Sequence, residues 1–287
     1  MQGFSPARWL RGKPKGLHYM VVAITCALSV TLAAQWPPFV RKDVPRTSEG
    51  KPNLDAPPPR LTNGKIDFSG TWESRLPPSG RLGGPMVPNV APTDPPLAAF
   101  FNIGQNIKDG LPFTPWAAEL RRQRMATNSK NNPDANCLPI GFMQLHTHSQ
   151  PRKVVQTVND LVIMYEANYG LRNIFTDGRA LPTNDPQPWW FGYSVGKYEG
   201  DTLVVQTIGL RDDGWLDVQG SPFTSGARIT ERFRRPTYGR LEIDVTVDDP
   251  KAYTKPWNVR VNWRLGADEE LIEFVCQENN VSEKYLQ

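Results

Sequence analysis

Beyond residue 152 the chain is a series of short segments in which hydrophobic and polar residues alternate. Residues 241, 243, 245 and 247 are Leu, Ile, Val and Val, whereas the positions between them are Glu, Asp and Thr. Residues 257–265 alternate Trp, Val and Leu with Asn and Arg in the same way. A period of two residues is typical of a strand with one buried face and one solvated face, so both segments are predicted strands.

Nine strands of this kind are predicted, and Gly, Asn or Asp residues in tight turns separate most of them. They cover residues 153–158, 161–168, 171–176, 190–198, 202–210, 228–233, 240–247, 257–265 and 271–276. No apolar segment of helix length lies between them, which argues against a parallel sheet. The predicted fold class is therefore mainly β, an antiparallel meander that either closes into a barrel or stacks as a sandwich.

A further strand is predicted at residues 66–73, ahead of the meander. Its Gly70-Thr71-Trp72 resembles the G-x-W that opens lipocalin-type, or calycin, barrels. The resemblance implies that Trp72 closes one end of the barrel and that an arginine from a late strand, Arg260 or Arg264, packs across its ring. A core tryptophan in any β-sheet is the alternative. We expect one calycin-like barrel domain over residues 66–287.

The first 34 residues have the order of a signal peptide. Four basic side chains lie between residues 8 and 15, an apolar run covers residues 20–32, and small residues precede Gln35. The run is shorter than the roughly 20 residues that span a bilayer, so cleavage, with no stable membrane span left afterwards, is expected. An uncleaved anchor is the alternative. The predicted location is periplasmic or secreted.

Removal of this segment changes the charge balance. The whole chain has a formal net charge of +4, and residues 1–34 carry four of the Lys and Arg side chains and no acid, so the remainder is neutral. The sequence also lacks a basic patch with interleaved aromatic residues. We therefore expect no nucleic-acid partner.

Two further features precede the meander. Residues 35–65 are rich in proline and lack periodicity, which predicts an extended arm. Within the helical insertion expected at about residues 94–128, Asp94 followed by two prolines predicts a helix that ends near Gly110. Thr114 followed by proline predicts a second short helix over residues 116–127.

Two cysteines, Cys137 and Cys276, remain outside the predicted signal peptide. In an oxidising compartment such a pair is expected to form a disulfide. Two buried free thiols are the alternative.

Six sequence blocks resemble a family of exported, mostly uncharacterised bacterial proteins. The blocks have the forms IFxDGR, GxSxGxxEGDTLVVxTxG, WLDxxGxP, TERF, DDPxAYxxPW and CxEN. They lie at residues 174–179, 192–209, 215–222, 230–233, 248–257 and 276–279. The resemblance covers most of the chain beyond Cys137 and implies an exported β-protein, but no particular reaction.

The chain departs from that family pattern in two places. Where the family tends to have GxPHS, residues 220–224 are Gly, Ser, Pro, Phe and Thr, without a histidine. Residues 141–150 also differ from the usual proline- and arginine-rich version, and they contain His146 and His148. A changed or specialised function is therefore a reasonable hypothesis.

Glu231 is the first candidate for chemistry, since it lies between Ile229 and Phe233 on one face of its strand. If that face is the apolar one, the carboxylate points inward and must be paired, hydrogen-bonded or protonated. Glu231 is then either a general acid/base or half of a structural ion pair with an arginine such as Arg172. The structural pair is the favoured alternative.

Asp177 and Arg179 flank Gly178 just after a predicted strand, where Arg179 could clamp a substrate carboxylate; a solvated hairpin is the alternative.

His146 and His148 are expected to project from a strand to the same side. A metal site would need a third protein ligand, which the spacing does not supply, so no metal is expected. One of the two histidines acting as a general base suits the chemistry better.

Aromatic residues supply the last signal. The chain has nine tryptophans, and Trp190, Tyr193 and Trp215 belong to a dense aromatic stretch. Such rings suit the binding of aromatic or sugar-like molecules, and they suit a barrel core equally well.

We therefore expect an enzyme that acts on a small organic molecule, aromatic or sugar-like, by acid/base chemistry in the barrel mouth, of lyase, isomerase or hydrolase type. No cofactor is expected: the sequence has no P-loop and no dinucleotide fingerprint, which disfavours NTPases and dehydrogenases. The absence of a G-x-S-x-G elbow disfavours serine hydrolases of the α/β kind. Asp177, Glu231, His146 and His148 are the candidate catalytic residues. Arg179, Arg172, Trp190, Tyr193 and Trp215 are the candidate substrate-binding residues. A non-catalytic lipocalin-like carrier of a hydrophobic or aromatic ligand and a structural envelope protein are the alternatives.

Overall fold

The computed structural model describes residues 40–74, 94–184, 187–276 and 278. Nine strands form a closed barrel in chain order, which confirms the predicted mainly β fold. They are β1 Gly70–Glu73, β2 Arg152–Gln156, β3 Asp160–Tyr165, β4 Leu171–Phe175, β5 Tyr193–Glu199, β6 Thr202–Ile208, β7 Arg228–Thr237, β8 Arg240–Asp248 and β9 Trp257–Leu265. The predicted signal peptide and the first residues of the arm lie outside the described residues.

One pair of neighbouring strands departs from the predicted antiparallel meander. β4 and β5 are parallel, with Ile174 opposite Ser194, whereas every other neighbouring pair is antiparallel. A parallel pair requires a long connection that returns the chain to the same end of the barrel. Residues 176–192 supply it, and they contain Asp177, Arg179 and Trp190.

The barrel interior is built from the faces that the alternation predicts. The side chains of Leu241, Ile243 and Val245 on β8 are fully buried, and so are Val259 and Trp263 on β9. Burial of each large apolar side chain stabilises the fold by roughly 1.5–3 kcal/mol, so these two strands form a large part of the core.

Trp72, the tryptophan of the G-x-W pattern, is part of the buried core. Its ring is fully buried and its indole N–H donates to the Phe68 carbonyl at 3.0 Å. The guanidinium that packs across it, 4.8 Å from the ring centre, is that of Arg235. The expectation of Arg260 or Arg264 is wrong, because both alternate with the inward residues of β9 and so lie on its outer face.

Two short α-helices accompany the strands in the described part of the chain. α1, Pro115–Ala126, begins where the sequence predicts, and the Thr114 hydroxyl accepts the backbone N–H of Ala117 at 3.3 Å. α2, Phe142–Thr147, was not predicted, because six residues are too few to show a helical period. The helix predicted to end near Gly110 is wrong; residues 101–110 form turns, in which the Asn102 side chain accepts the Gly104 N–H at 3.1 Å.

The segment after β9 is not the predicted last strand. Residues 266–276, all of which the structure describes, contain no strand, because β9 already pairs with β1 and closes the sheet. The segment is held by the Cys137–Cys276 disulfide, whose Cα atoms are 5.6 Å apart, so the predicted disulfide is confirmed. The backbone N–H of Ile272 also donates to Glu166 at 3.1 Å.

The proline-rich segment forms an extended arm across the β7–β8 turn. The carbonyls of Leu54 and Ala56 accept the N–H groups of Gly239 and Tyr238 at 2.8 and 2.7 Å. Arg60 forms an ion pair with Asp201 at 2.8 Å. None of the described helices is both long enough and apolar enough to cross a lipid bilayer.

Candidate functional site

The barrel interior contains a polar network centred on Glu231. Its carboxylate accepts the Arg172 guanidinium at 3.0 Å through Oε1, and the second oxygen, Oε2, also accepts from Arg172. Nε2 of His146 lies 2.8 Å from Oε1, and Nδ1 of the same ring lies 2.9 Å from the Tyr165 hydroxyl. These four residues come from β7, β4, α2 and β3, so the network joins α2 to opposite parts of the barrel wall.

Arg172 is held on every side. Its guanidinium donates to the hydroxyls of Ser194 at 3.1 Å and Thr207 at 2.9 Å, and it lies 4.0 Å from the centre of the Phe142 ring. The ion pair that the sequence predicts between Arg172 and Glu231 is therefore present, with nearly all of its hydrogen-bonding capacity used inside the protein.

The electrostatics of the network fix its charge state. Burial raises the pKa of Glu231, but the charge of Arg172 and the hydrogen bonds from His146 and Arg172 outweigh burial and lower the pKa to about 2. Burial lowers the pKa of His146 to about 4, against the opposing effect of Glu231. At neutral pH His146 is uncharged. Because a carboxylate only accepts hydrogen bonds, Nε2 carries the proton and Nδ1 accepts from the Tyr165 hydroxyl.

The backbone of α2 is fixed as firmly as its histidine ring. The His146 carbonyl accepts the Trp263 indole N–H at 2.9 Å and the Ser74 hydroxyl at 2.7 Å. Ser74 in turn accepts from Arg152 at 2.6 Å. The helix is thus held inside the barrel by contacts with its backbone as well as its side chains.

The network is closed to solvent. The side chains of His146 and Glu231 are 0 % exposed and that of Arg172 is 1 % exposed. The chain from Tyr165 through His146 to Glu231 contains groups that can move protons, but a substrate has no access to it while α2 occupies the barrel. In this arrangement the network joins the helix to the wall, which is the structural role that the sequence favours for Glu231.

His148 lies apart from His146. The expectation that both rings project from a strand to one side is wrong, because residues 142–147 are helical and positions two apart on a helix face different ways. The His148 ring packs against Phe100, with ring centres 4.9 Å apart, and Nδ1 accepts the Gln150 N–H at 3.1 Å. Within the described residues, no group of three or more His, Cys, Asp or Glu side chains could hold a metal ion.

Asp177 and Arg179 lie together on the outer surface, in the connection between β4 and β5. The Arg179 guanidinium donates to Asp177 at 2.6 Å and to the Tyr193 hydroxyl at 3.2 Å, and it lies 3.9 Å from the Phe175 ring centre. The hydrogen bond from Arg179 lowers the pKa of Asp177. Because the Arg179 guanidinium is already paired with Asp177, it is not free to bind a substrate carboxylate.

The remaining two candidates, Trp190 and Trp215, line an open cleft of about 910 Å³. Its walls come from α1, from residues 131–138 and from the loop that follows β6. Two guanidinium–indole stacks stand in it: Arg211 lies 4.5 Å from the Trp190 ring centre, and Arg124 lies 4.5 Å from the Trp215 ring centre. We call this feature the tryptophan cleft. The lining residues are Leu120, Gln123, Arg124, Thr127, Asn131, Pro133, Asn136, Leu138, Trp190, Arg211, Asp212, Asp213 and Trp215.

Most of the polar groups of the tryptophan cleft were not predicted. Arg211 and Asp213 form an ion pair at 2.6 Å, and Asp212 accepts the backbone N–H of Ser225. The only sequence signal for them is the charged run directly before Gly214, next to the WLD block. Arg124 had no signal, because a basic residue on a charged helix looks like any solvated side chain.

The disulfide belongs to one wall of the cleft. Asn136 and Leu138, which line it, flank Cys137, whose backbone is in the left-handed conformation at φ 54°. The bond to Cys276 therefore holds the lining segment in place.

A second cavity of about 220 Å³ lies at the ends of β6, β7 and β8, and its lining is mostly polar: Gln206, Thr207, Ile208, Arg228, Ile229, Thr230, Thr246, Asp248 and Pro256.

Comparisons of the chain with protein-family models, with curated proteins and with solved structures found no match.

Proposed function

We propose that this protein binds a small organic molecule, aromatic or sugar-like, in the tryptophan cleft, and that the network around Glu231 is structural. The observation that carries the proposal is the pairing of two indole rings with guanidinium groups in an open cleft of about 910 Å³. A cavity of this size suits a small organic ligand, and aromatic walls with a few polar groups are typical of such sites.

The barrel interior supports this choice by contrast. A lipocalin-like carrier that holds its ligand inside the barrel needs an open, apolar lumen. Here α2 and the ion pair of Arg172 and Glu231 occupy that position, with side chains 1 % and 0 % exposed. The binding role therefore belongs to the outside of the barrel, beside α1.

An extracytoplasmic location goes with this proposal. The Cys137–Cys276 disulfide is a bond that persists in oxidising compartments. The signal peptide expected in residues 1–34 would direct the chain there. Measurement of the intact mass of the exported protein tests this part: loss of about the first 34 residues supports it, and a full-length cytoplasmic product contradicts it.

Tryptophan fluorescence tests binding in the cleft. Titration with phenol, benzoate derivatives and methyl glycosides is expected to change the emission of the wild-type protein, and Trp190→Leu is expected to weaken binding by about tenfold, since one aromatic contact is worth about 0.5–1.5 kcal/mol. Trp189→Leu is the matched control, because Trp189 is the adjacent residue but packs on Tyr193, with ring centres 5.9 Å apart, outside the cleft. Equal loss in both variants would contradict the site.

An acid/base enzyme is the second candidate, and the cleft rather than the lumen would then be its active site. Asp212 and Asp213 both line the cleft, and paired carboxylates are the usual groups for proton transfer to and from uncharged substrates. Compounds that bind would be incubated with the protein and analysed by mass spectrometry. A product that disappears in Asp212→Asn or Asp213→Asn supports catalysis, because such groups contribute about 10²–10⁴-fold in rate. Recovery of every compound unchanged supports the binding protein.

A further inference from the structure

The guanidinium of Arg124 lies in the tryptophan cleft without a carboxylate in ion-pair contact, although the charge of the buried Asp217 partly opposes the effect of burial on its pKa. Nη1 donates to the Gly220 carbonyl at 3.0 Å, and the group stacks on Trp215. No carboxylate among the described residues lies within 4.0 Å of its nitrogens, and Nε and Nη2 donate to no described protein atom. A stacked arginine is held in one orientation, so these donors point in fixed directions.

Arg121, one turn before Arg124 on α1, also has no carboxylate partner among the described residues, but it donates to the Gln219 side chain and stacks on Phe113 outside the cleft. Two other guanidinium groups nearby are neutralised. Arg122, two residues before Arg124 and on the exposed side of α1, forms an ion pair with Glu119 at 2.7 Å, and Arg211 is paired with Asp213 at 2.6 Å. Burial lowers the pKa of Arg124 to about 10, so it stays charged at neutral pH although it is partly removed from water. A charge in this position gains from an anion that enters the cleft.

The surroundings of Arg124 define the rest of the ligand. The half-buried indole of Trp190 and the side chains of Leu120 and Leu138 give the cleft an apolar part, while Asp212 offers a hydrogen-bond acceptor. An anionic group at Arg124 and a flat ring against Trp190 would use both parts at once.

We propose that the ligand of the tryptophan cleft is an aromatic carboxylate, with the carboxylate bound by Arg124 and the ring against Trp190. This inference rests on the proposed binding function and specifies its ligand class. A charge-assisted hydrogen bond contributes more than a neutral one, so the anion is expected to bind about tenfold more tightly than a neutral compound of the same shape.

The test compares 4-hydroxybenzoate with its methyl ester by calorimetric titration at neutral pH. The wild-type protein is expected to bind both and to prefer the acid by about tenfold. Arg124→Gln is expected to lose this preference while it still binds the ester, and Arg124→Lys to keep part of it. Arg122→Gln is the matched control, since Arg122 lies on the same helix but outside the cleft, and it is expected to keep the full preference.

The outcomes separate this inference from the binding function. Equal affinity for acid and ester in the wild-type protein, or a preference that survives in Arg124→Gln, overturns the assignment of Arg124 and leaves the binding function standing. Failure of both compounds to bind overturns the ligand class, and failure of the whole fluorescence panel overturns the binding function itself. If Arg124→Gln does not fold, the wild-type preference and its decrease at high salt decide the question, because screening weakens a real ion pair.

Discussion

Replacement of Glu231 by Gln removes one charge from the buried network and keeps the shape of the side chain. Arg172 then remains buried and charged, with only uncharged acceptors left: the hydroxyls of Ser194 and Thr207 and the amide oxygen introduced at position 231. Loss of one partner of a buried ion pair costs about 3–5 kcal/mol. Burial raises the pKa of Glu231, but Arg172 and His146 outweigh burial and lower it, so the charged carboxylate is the form that stabilises the fold. We therefore expect Glu231→Gln to lower the free energy of unfolding by about 3–5 kcal/mol.

Urea unfolding followed by circular dichroism at neutral pH measures this loss. Glu199→Gln is the matched control, because Glu199 also pairs with an arginine, Arg232 at 2.8 Å, but both side chains are about half exposed. A surface pair of this kind is worth about 0–1 kcal/mol. A loss in Glu231→Gln no larger than that in Glu199→Gln would refute the structural role of the network.

A double variant identifies the source of the cost. Changing Arg172 to Met together with Glu231→Gln removes the unpaired charge as well, and replacing a whole buried pair is often far less costly than breaking it. The double variant is expected to be more stable than Glu231→Gln alone. The contrary result is a double variant whose loss of unfolding free energy equals the sum of the losses in Glu231→Gln and in Arg172→Met alone. It would show that packing, not the unpaired charge of Arg172, explains the cost.

Three further predictions concern the same framework. His146 takes up a proton near pH 6.5 in the unfolded chain but only near pH 4 in the folded chain. The contribution of uncharged His146 to the free energy of unfolding, about 3 kcal/mol, is therefore complete above pH 6.5 and is lost as the pH falls to 4. Urea titrations should show this loss in the wild-type protein and a flatter profile in His146→Gln. Reduction of the Cys137–Cys276 disulfide should lower the unfolding free energy by about 3–5 kcal/mol, with an unchanged urea midpoint as the contrary result. Gly70→Ala should lower stability by about 1–3 kcal/mol, because φ is +150° and a Cβ would lie 2.5 Å from Leu265; wild-type thermal stability would contradict the close packing at barrel closure.

The parts of the fold that depend on local patterns could be predicted from the sequence. Alternation identifies β8 and β9 with their buried faces, and Thr114 followed by proline identifies the start of α1. The disulfide was predicted because one cysteine pair remains outside the predicted signal peptide of a chain that is expected to be exported. Each of these signals lies within a few residues or in a simple count, so no knowledge of packing was needed.

The parts that depend on packing could not be predicted. The parallel pairing of β4 and β5 is decided by which strands meet when the barrel closes, and a connection of ordinary loop composition does not reveal it. Arg235, rather than Arg260 or Arg264, meets Trp72 for the same reason.

The candidate site shows the same division. Glu231 and Arg172 were identified as a pair because a carboxylate on an apolar face needs a partner. Only the aromatic part of the tryptophan cleft could be predicted. Trp190 and Trp215 were candidates as aromatic residues, whereas Arg124 lies on a helix far away in the sequence and meets Trp215 only in the folded chain.

Crystallographic fragment soaking tests the central claim most directly, because it shows where a ligand lies without assuming which ligand it is. The set should contain aromatic acids, their esters, phenols and methyl glycosides. We predict ligand density in the cleft between Trp190 and Arg124, with carboxylates directed at the guanidinium of Arg124 and the barrel interior around Glu231 unchanged. Ligand density inside the barrel, with α2 displaced and Glu231 or His146 in contact with the ligand, would contradict the account.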